Sequence, residues 1–423
     1  MQEQTDKRAA AERIVGELRK RGHVAYFAGG CVRDMLLGVE PKDYDVATDA
    51  PPEVVKSVFR NTKLVGEAFG VVLVRLMRCE IEVATFRTEG AYSDGRRPDQ
   101  VRFTDAEHDA KRRDLTINGL FYDPGAPPED KVIDFVGGRA DIEGKIIRAI
   151  GEPGERFAED YLRMLRTVRF AARLGWEIDP PTAEAIRGHA KKLEQISRER
   201  IGMEVLMMMA GPGKWPVNGG RASAARWMQK LGLDGPVLKE PGNDRPVKTL
   251  EALTEDADAV TALAAWALDR HLEPKGDLAE RLTKMRVVLI ARRWRDALVL
   301  SNDQVGGLLD RLLGLAELAT WKSMAVANRK RLLARAEWEA IRQLAAAQGE
   351  FDMKRLTREA KKLREDKVGV QPKPLVTGDD LVAIGMMPGP VFKRILDTVY
   401  DAQLEGRITS RKDAMRMVSG MDI

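Results

Sequence analysis

Cysteine, histidine and long apolar runs are all scarce in this sequence. Its 423 residues include only two cysteines, Cys31 and Cys79, which excludes a disulfide framework and a zinc knuckle and is typical of a reducing cytoplasm. The four histidines show no metal-binding spacing, and no His-Asp dyad indicates an accessory phosphohydrolase domain. No uncharged apolar run is long enough to cross a membrane, and the N-terminal segment lacks the apolar core of a signal peptide. We therefore expect a soluble, cytoplasmic protein without a membrane partner.

Charge, by contrast, is abundant. Charged residues make up 32% of the chain, and the net charge is +5. This modest basic excess favours a polyanionic partner, although composition alone does not separate nucleic acid from membrane lipid. The length predicts about two to four folding units rather than one small core.

The pattern of apolar residues changes near residue 150. Before it, short β-rich runs alternate with helical or turn segments, and residues 70–77 and 80–87 resemble an antiparallel hairpin, which favours a mixed sheet. After it, apolar residues recur at helical spacing and few strand signals are present. The sequence thus predicts an α/β head followed by α-helices, in four segments: head 1–150, neck 151–210, RNA-binding body 211–370 and tail 371–423.

The densest chemical signal lies in residues 29–50. Gly29 and Gly30 follow a predicted strand (23–29), and a glycine turn before a helix lets backbone N–H groups approach phosphate. Asp43 and Asp45 begin the next predicted strand (43–49), where alternate residues face the same side. Two neighbouring carboxylates repel each other unless a divalent cation neutralises them, so the pair predicts a metal site.

Glu82 provides a third candidate carboxylate. It shares one face of its predicted strand with Glu80 and Ala84. On an adjacent antiparallel strand it could reach the same metal ions, and the competing interpretation is an ordinary solvated strand face.

Several motifs, in order along the chain, resemble those of class II tRNA nucleotidyltransferases and bacterial poly(A) polymerases, within the DNA polymerase beta superfamily. The segment GGCVRDMLLGVEPKDYDVATDA resembles the family signature, and TFRTEGAYSDGRRPDQVRF resembles its mobile loop. DAKRRDLTING resembles the Arg-Arg-Asp-x-x-x-Asn motif, with Leu115 where Phe is usual and Gly119 where Ala is usual. AEDYLRMLRTVRFAARLGWEID resembles the Glu-Asp-x-x-Arg motif, and SRERIGMEVL resembles the helix after it. Residues 374–414 resemble a tail segment common in bacterial enzymes that add CCA.

The resemblance implies a role for each matching residue. Gly30, with Gly29, and Arg33 would bind the triphosphate, while Asp43 and Asp45 would hold two Mg²⁺ ions, one activating the RNA 3′-hydroxyl and one stabilising pyrophosphate. The remaining implied contacts are Arg112 and Arg113 to phosphates, Asp114 to phosphates or sugar, Asn118 as a brace, and Arg166 and Arg169 to the triphosphate.

The resemblance also implies that the protein itself selects the base. Asp160 and Arg163 would contact the Watson–Crick edge of the incoming nucleotide, because aspartate offers acceptors and arginine offers donors in a fixed fork. Their spacing predicts that both lie on one face of a helix.

Three activities share these motifs. The resemblance favours building or repairing the CCA end of tRNA with CTP and ATP, because the tail is typical of a tRNA enzyme and the 85–105 loop is not shortened as in CC-only enzymes. An A-adding tRNA enzyme and a poly(A) polymerase are the alternatives. A silent RNA-binding protein would lack a metal carboxylate, and an enzyme for small molecules or proteins would need neither the Asp160 and Arg163 pair nor a basic body.

The basic run 322–367 has two interpretations. It contains the clusters Arg329-Lys330-Arg331 and Lys361-Lys362 on predicted helices. Such a run is commonly a solvated helix face, but an RNA substrate would favour contact with the phosphate backbone.

Overall fold

A mixed sheet forms the centre of the first of two structural units. The computed structural model describes residues 2–65, 70–89, 101–211 and 220–421. The first unit comprises Met1–Asp244 with Asp296–Val299, and the second comprises Arg245–Arg295 with Leu300–Ile423.

The strands in the described residues are short and confined to the first unit. In chain order they are β1 (Ala25–Ala28), β2 (Val46–Thr48), β3 (Thr62–Leu64), β4 (Val71–Leu76), β5 (Cys79–Thr85), β6 (Arg87–Glu89), β7 (Val101–Phe103), β8 (Phe121–Tyr122), β9 (Val132–Ile133), β10 (Ile146–Ile147) and β11 (Glu177–Ile178). Seven of them form the central sheet in the order β3-β4-β5-β2-β1-β8-β9, in which β2 and β5 run parallel and the other neighbours antiparallel. The predicted mixed sheet is confirmed.

The predicted hairpin is also confirmed. Strands β4 and β5 pair from Val71 opposite Ala84 to Leu76 opposite Cys79. Met77 and Arg78 form the turn with φ values of 51° and 63°, the left-handed conformation that suits a two-residue hairpin.

Eleven α-helices lie in the described residues of the first unit. They are α1 (Gln2–Arg19), α2 (Gly30–Leu36), α3 (Pro52–Val58), α4 (Ala106–Lys111), α5 (Gly138–Gly144), α6 (Pro153–Glu159), α7 (Leu162–Leu174), α8 (Pro180–His189), α9 (Arg198–Met209), α10 (Gly220–Lys230) and α11 (Asp234–Leu238). Aromatic Phe86 and Phe121 pack edge to face in a core below the sheet, with Ala28, Ala47 and Ala110.

The predicted helix through Asp160 is wrong, because the chain breaks there. Helix α6 ends at Glu159, and Asp160 has extended backbone angles, φ −154° and ψ 103°. Its carboxylate accepts a hydrogen bond from the N–H of Leu162 at 3.0 Å, at the start of α7. Aspartate favours such a position because its side chain satisfies an N–H that the helix leaves open.

The described residues of the second unit form helices. They are α12 (Lys248–Ala252), α13 (Ala259–His271), α14 (Leu278–Lys284), α15 (Val287–Leu298, whose last residues belong to the first unit), α16 (Asn302–Ala319), α17 (Val326–Leu333), α18 (Trp338–Gln348), α19 (Met353–Arg364), α20 (Gly378–Ala383), α21 (Pro390–Leu404) and α22 (Arg411–Ser419). Across the described ranges, no helix has the length and apolarity needed to cross a membrane.

The predicted RNA contact by the 329–331 cluster is wrong for Lys330. Its side chain is fully buried, forms an ion pair with Asp366 and donates a hydrogen bond to the carbonyl of Leu404 at 2.8 Å. Arg331 donates to Asp401 at 2.8 Å. Spacing along α17 cannot show this, because the partners come from segments about 35 to 75 residues later. The cluster holds α17 to the C-terminal helices.

Candidate active site

A cavity of about 900 Å³ opens in the first unit. All fourteen residues that the sequence nominated line its wall: Gly29, Gly30, Arg33, Asp43, Asp45, Glu82, Arg112, Arg113, Asp114, Asn118, Asp160, Arg163, Arg166 and Arg169. The fold therefore brings the whole set together, although the residues span about 140 positions. Their individual roles stay predictions.

The glycine turn lies where β1 passes into α2. Gly29 has φ 72°, a conformation that favours glycine. A Cβ at this position would lie 2.8 Å from Nη1 of Arg113, so a side chain would also displace that guanidinium. Gly29 is thus required both for the turn and for the approach of Arg113.

Asp43 and Asp45 lie just before β2 rather than within it, because β2 begins at Val46. Both face the cavity. Burial by surrounding protein atoms, together with the negative charges of Glu82 and Asp43, raises the pKa of Asp45 to about 6 against the opposing effect of Arg113. The negative charge gathered here favours a cation.

Glu82 reaches this cavity from a parallel strand, so the expected antiparallel arrangement is wrong. In the parallel pair, Val46 of β2 lies opposite Val83 of β5, which places Asp45 and Glu82 at the same end. The reason lies in the connection between the two strands. After α3, β3 runs in the same direction as β2. Strand β4 is antiparallel to β3 and β5 is antiparallel to β4, so β5 again runs in the direction of β2.

The carboxylates at this end of the β2–β5 pair fit a hard divalent cation if phosphate oxygens of a substrate complete its coordination. Within the described residues, no three His, Cys, Asp or Glu side chains are arranged to hold a metal ion by themselves. Mg²⁺ is commonly bound by one or two carboxylates together with substrate phosphates and water. Asp43 and Asp45 match that donor set, and a cation would neutralise the negative charge that they share with Glu82.

We predict that Asp45→Asn stabilises the metal-free protein near neutral pH. The folded protein holds the Asp45 proton up to a pH of about 6, whereas an ordinary aspartate releases it near 3.8, so ionisation lowers the free energy of unfolding as pH rises from about 4 to about 6. The carboxylate is open to the cavity, and solvent screening reduces the expected gain at pH 7.5 to about 1 kcal/mol. Urea unfolding in EDTA at pH 4.5 and 7.5 measures it.

Asp49→Asn is the matched control, since Asp49 lies at the other end of β2 and outside the cavity lining. A gain from Asp45→Asn that is the same at both pH values would contradict the expected effect, because it could not come from ionisation.

Asp109 holds Arg112 and Arg113 together. This buried carboxylate accepts from Arg112 through Oδ1 at 2.7 and 3.0 Å and from Arg113 through Oδ2 at 2.9 and 3.1 Å. The two guanidinium groups hold the pKa of Asp109 below its usual value despite its burial. Arg113 also donates to the carbonyl of Asn118 at 3.2 Å. Both arginines are therefore fixed in place beside the cavity.

Asn118 and Asp114 connect the floor of the cavity to α7. Asn118 accepts from Arg33 at 2.5 Å through Oδ1 and donates to Asp114 at 3.1 Å through Nδ2. Asp114 also accepts from Arg166 at 2.7 Å. Together these donors hold the pKa of buried Asp114 well below its usual range. The expected brace at Asn118 thus has a geometric basis, and Arg166 is oriented by Asp114.

Glu204 of α9 orients the next arginine on α7. It is 4% exposed, and its Oε2 accepts a hydrogen bond from Nε of Arg169 at 2.6 Å. Its Oε1 also forms an ion pair with Nη1 of Arg166 at 3.9 Å. Both arginines keep further N–H groups with which to meet an anion in the cavity.

Asp160 and Arg163 line the same cavity, and each forms hydrogen bonds or ion pairs with a different group of the protein. Asp160 accepts from Arg200 at 2.6 Å, and Arg163 forms an ion pair with Glu159 and donates to the carbonyl of Arg156 at 3.2 Å. A carboxylate oxygen accepts more than one hydrogen bond and a guanidinium carries five N–H groups. The pair is therefore held in orientation while keeping groups for a ligand.

The charge of the lining suits a polyphosphate. Among the described residues, nine arginines and five carboxylates line the cavity, an excess of four positive charges. Burial and the nearby charges of Arg169 and Arg33 lower the pKa of Arg173, which shows how closely the arginines are packed. Such a site attracts an anion of high charge.

Sequence reasoning missed five contributors. Arg87, Arg173 and Arg200 line the cavity, and Asp109 and Glu204 orient its arginines. The position of Asp109, three and four residues before Arg112 and Arg113 near a helix end, was a readable signal. Glu204 lies 35 residues beyond Arg169, and no local pattern indicates that pairing.

The segment that resembles the mobile loop lies partly outside the described residues, because 90–100 is not described.

Two family profiles match this chain. One, described as the poly A polymerase head domain, matches residues 25–148. The other, described as a probable RNA and SrmB-binding site of polymerase A, matches residues 175–215.

Curated relatives and solved structures resemble the chain over most of its length. The CCA-adding enzyme of Limosilactobacillus fermentum is 32% identical over 97% of this chain and 96% of the relative. The CCA-adding enzyme of Enterococcus faecalis is 45% identical over 71% of this chain and 76% of the relative. A crystal structure of the Bacillus stearothermophilus CCA-adding enzyme in complex with CTP superposes with a TM-score of 0.71, at 29% identity and with 97% of each chain covered. The Thermotoga maritima CCA-adding enzyme complexed with tRNA, at 18% identity and a TM-score of 0.63, shares the fold, with 96% of this chain and 93% of that chain covered.

Proposed function

Because this chain belongs to the family of CCA-adding enzymes, the class II tRNA nucleotidyltransferases, we propose that the cavity between β2 and α7 is where it extends tRNA. The protein is a nucleotidyltransferase that adds CCA to the 3′ end of tRNA, using CTP and ATP and releasing pyrophosphate. Template-independent addition needs base selection by the protein. The observation that carries the proposal is that Asp160 and Arg163 share one basic cavity with Asp43 and Asp45.

The decisive experiment uses three tRNA transcripts that end before CCA, after C and after CC, each with one labelled triphosphate at a time. We expect two additions from CTP on the first, one on the second, and a single addition from ATP on the third. An A-adding enzyme would extend only the third transcript, and a poly(A) polymerase would continue beyond one A. Either pattern would contradict CCA addition.

Enzymes of this family use divalent metal ions, and we propose Mg²⁺ as the ion and Asp43 and Asp45 as the residues that hold it. When bound, the ion would promote ionisation of the tRNA 3′-hydroxyl and neutralise charge on the departing pyrophosphate. The chain itself supplies carboxylates at the end of β2 and an adjacent negative charge at Glu82. We further propose the cytoplasm as the location, because the substrates tRNA, CTP and ATP meet there.

The arginine-rich wall is proposed to bind the triphosphate. Arg33 lies 4.8 Å over the ring of Phe170, and its guanidinium is fixed by Asn118 and Asp34. Arg112 and Arg113 are fixed by Asp109, and Arg166 and Arg169 by Asp114 and Glu204. Groups that are already oriented lose little freedom when they bind phosphate, which favours in-line positioning of the α-phosphate.

Base selection is proposed to reside in Asp160 and Arg163. Asp160 would accept from the exocyclic amino group that cytosine and adenine carry, and Arg163 would donate to ring nitrogens or to the cytosine carbonyl. Arg200 and Glu159 keep both side chains in orientation from within the protein.

The four-segment division into head 1–150, neck 151–210, body 211–370 and tail 371–423 is likewise proposed, with tRNA contact by the body and tail. The basic side chains that are available to contact RNA are not those of the 329–331 cluster. On α19, Lys354, Arg358 and Lys362 are exposed, lie four residues apart along one stripe and have no ion-pair partner among the described residues. A stripe of this kind can follow a phosphate backbone.

We predict that changing Lys354, Arg358 and Lys362 together to Gln weakens tRNA binding and reduces its salt dependence. Each lost phosphate contact lowers the slope of log affinity against log salt by roughly 0.7–0.9. Filter binding or fluorescence anisotropy from 50 to 300 mM salt, about the range in which counterion release is visible, measures the slope.

A second triple variant controls for net charge. Lys284 and Arg407 are exposed and Arg342 is half-buried, and all three pair with carboxylates close by in sequence. If both triples change the slope equally, α19 contributes only net charge and makes no specific contact.

A further inference from the structure

A lysine from the N-terminal helix contacts the outer of the two carboxylates. Lys7 donates from Nζ to Oδ1 of Asp43 at 2.9 Å and to the backbone carbonyl of Lys42 at 3.2 Å. The Lys7 side chain is 21% exposed and that of Asp43 is 63% exposed. An ammonium group is therefore bonded to a carboxylate that lines the cavity.

The helix that carries Lys7 is firmly packed. Ala10, Ile14 and Leu18 of α1 are fully buried, and the helix lies against β1 and β5 of the central sheet. Lys7 lies on this helix, one turn before the buried residues Ala10 and Ala11. The ammonium is thus supplied by a fixed element at a defined point beside Asp43.

We propose that Lys7 is a positioning residue that competes with a divalent cation for Asp43. This inference rests on the proposed role of Asp43 in holding metal. An ammonium and a metal ion cannot both occupy the same side of Oδ1, so metal binding through this oxygen requires the Lys7 ion pair to break. Binding through Oδ2 alone is opposed by the nearby positive charge. The nucleotide-free enzyme therefore binds the cation weakly, and phosphate oxygens of the incoming triphosphate add the ligands that favour exchange.

A purely structural role for Lys7 makes a different prediction. An ion pair that only attaches α1 to the segment before β2 would change the stability of the protein when removed, and would leave metal affinity unaltered. Competition changes metal affinity in the absence of any nucleotide or RNA.

The test measures Mn²⁺ binding to the full-length protein without nucleotide, by the electron paramagnetic resonance signal of free Mn²⁺ at pH 7.5 and constant ionic strength. Lys7→Met is expected to tighten Mn²⁺ binding about two- to fivefold, the range that loss of a partly exposed ion pair allows. Lys7→Arg keeps a charged donor and is expected to restore the wild-type value. With tRNA and CTP present, the half-saturating Mn²⁺ concentration of Lys7→Met is expected to fall in the same proportion.

Lys42→Met is the matched control, because Lys42 is exposed, carries the same charge and precedes Asp43, while only its carbonyl meets Lys7. Equal tightening by Lys42→Met and Lys7→Met would overturn the inference, since general electrostatics would then explain both. Unchanged binding in Lys7→Met would overturn it as well.

Asp43→Ala separates this inference from the proposed function. If Asp43→Ala leaves Mn²⁺ affinity unchanged, the metal role of Asp43 fails and the inference fails with it. If Asp43→Ala weakens binding while Lys7→Met has no effect, only the inference fails. Competition also requires that Lys7→Met have no further effect in the Asp43→Ala background.

Discussion

Replacing Asp43 or Asp45 by alanine is expected to reduce CCA addition by roughly 10³-fold or more, the loss typical of removing a ligand from a metal-dependent transferase. Both carboxylates face the cavity, and neither contributes to an apolar core. We therefore expect the fold and most of the tRNA affinity to survive. Single-turnover addition of labelled CTP to a tRNA lacking CCA measures the chemical step directly.

The Asp49→Ala variant provides the comparison for this experiment. Asp49 is an exposed carboxylate on the same segment, but it accepts from the N–H of Val24 at 2.9 Å and does not line the cavity. Activity within about tenfold of wild type in either Asp43→Ala or Asp45→Ala would contradict the assignment of these residues to metal binding. A comparable loss in Asp49→Ala would show that the effect arises from the local fold.

Replacing Asp160 by alanine is expected to relax the choice of base. Uracil lacks the exocyclic amino group that Asp160 is proposed to recognise, so wild-type enzyme should reject UTP on this contact. Losing one hydrogen bond in a water-poor pocket costs about 1–3 kcal/mol, or roughly 5- to 150-fold in selectivity. The ratio of kcat/KM for CTP and UTP, measured in competition on a tRNA lacking CCA, should fall by that factor.

The Asp160→Ala variant also leaves Arg200 without its carboxylate, which lies 2.6 Å away in the wild type. Some loss of absolute rate is therefore expected, and the discriminating quantity is the ratio between the two triphosphates. Glu155→Ala, which removes an exposed carboxylate of α6 outside the cavity lining, should leave the ratio unchanged. If Asp160→Ala rejects UTP as strongly as wild type, base selection lies in other residues.

Local spacing was sufficient to predict much of the fold and the carboxylates of the site, whereas most of the other site residues were implied by the family resemblance. Alternation of apolar residues in 70–77 and 80–87 predicted the β4–β5 hairpin, because strand side chains alternate between two faces. The spacing of Asp43 and Asp45 predicted two residues that line the cavity, and the resemblance implied the arginines of α7 that line it with them.

The tertiary structure decided which charges are available and which are already paired. Lys330 looked like part of a basic surface, yet it is fully buried against Asp366 and Leu404. Arg169 looked like a phosphate ligand alone, yet Glu204 orients it from 35 residues away. The periodicity of apolar residues and the spacing of charged residues are local properties, because the geometry of a helix or strand relates them directly to its faces. The sequence by itself determined these properties. A buried charge needs a compensating group because an unpaired charge in the interior costs free energy. That group often comes from an element distant in sequence, so only the packing of the fold determines which residue it is.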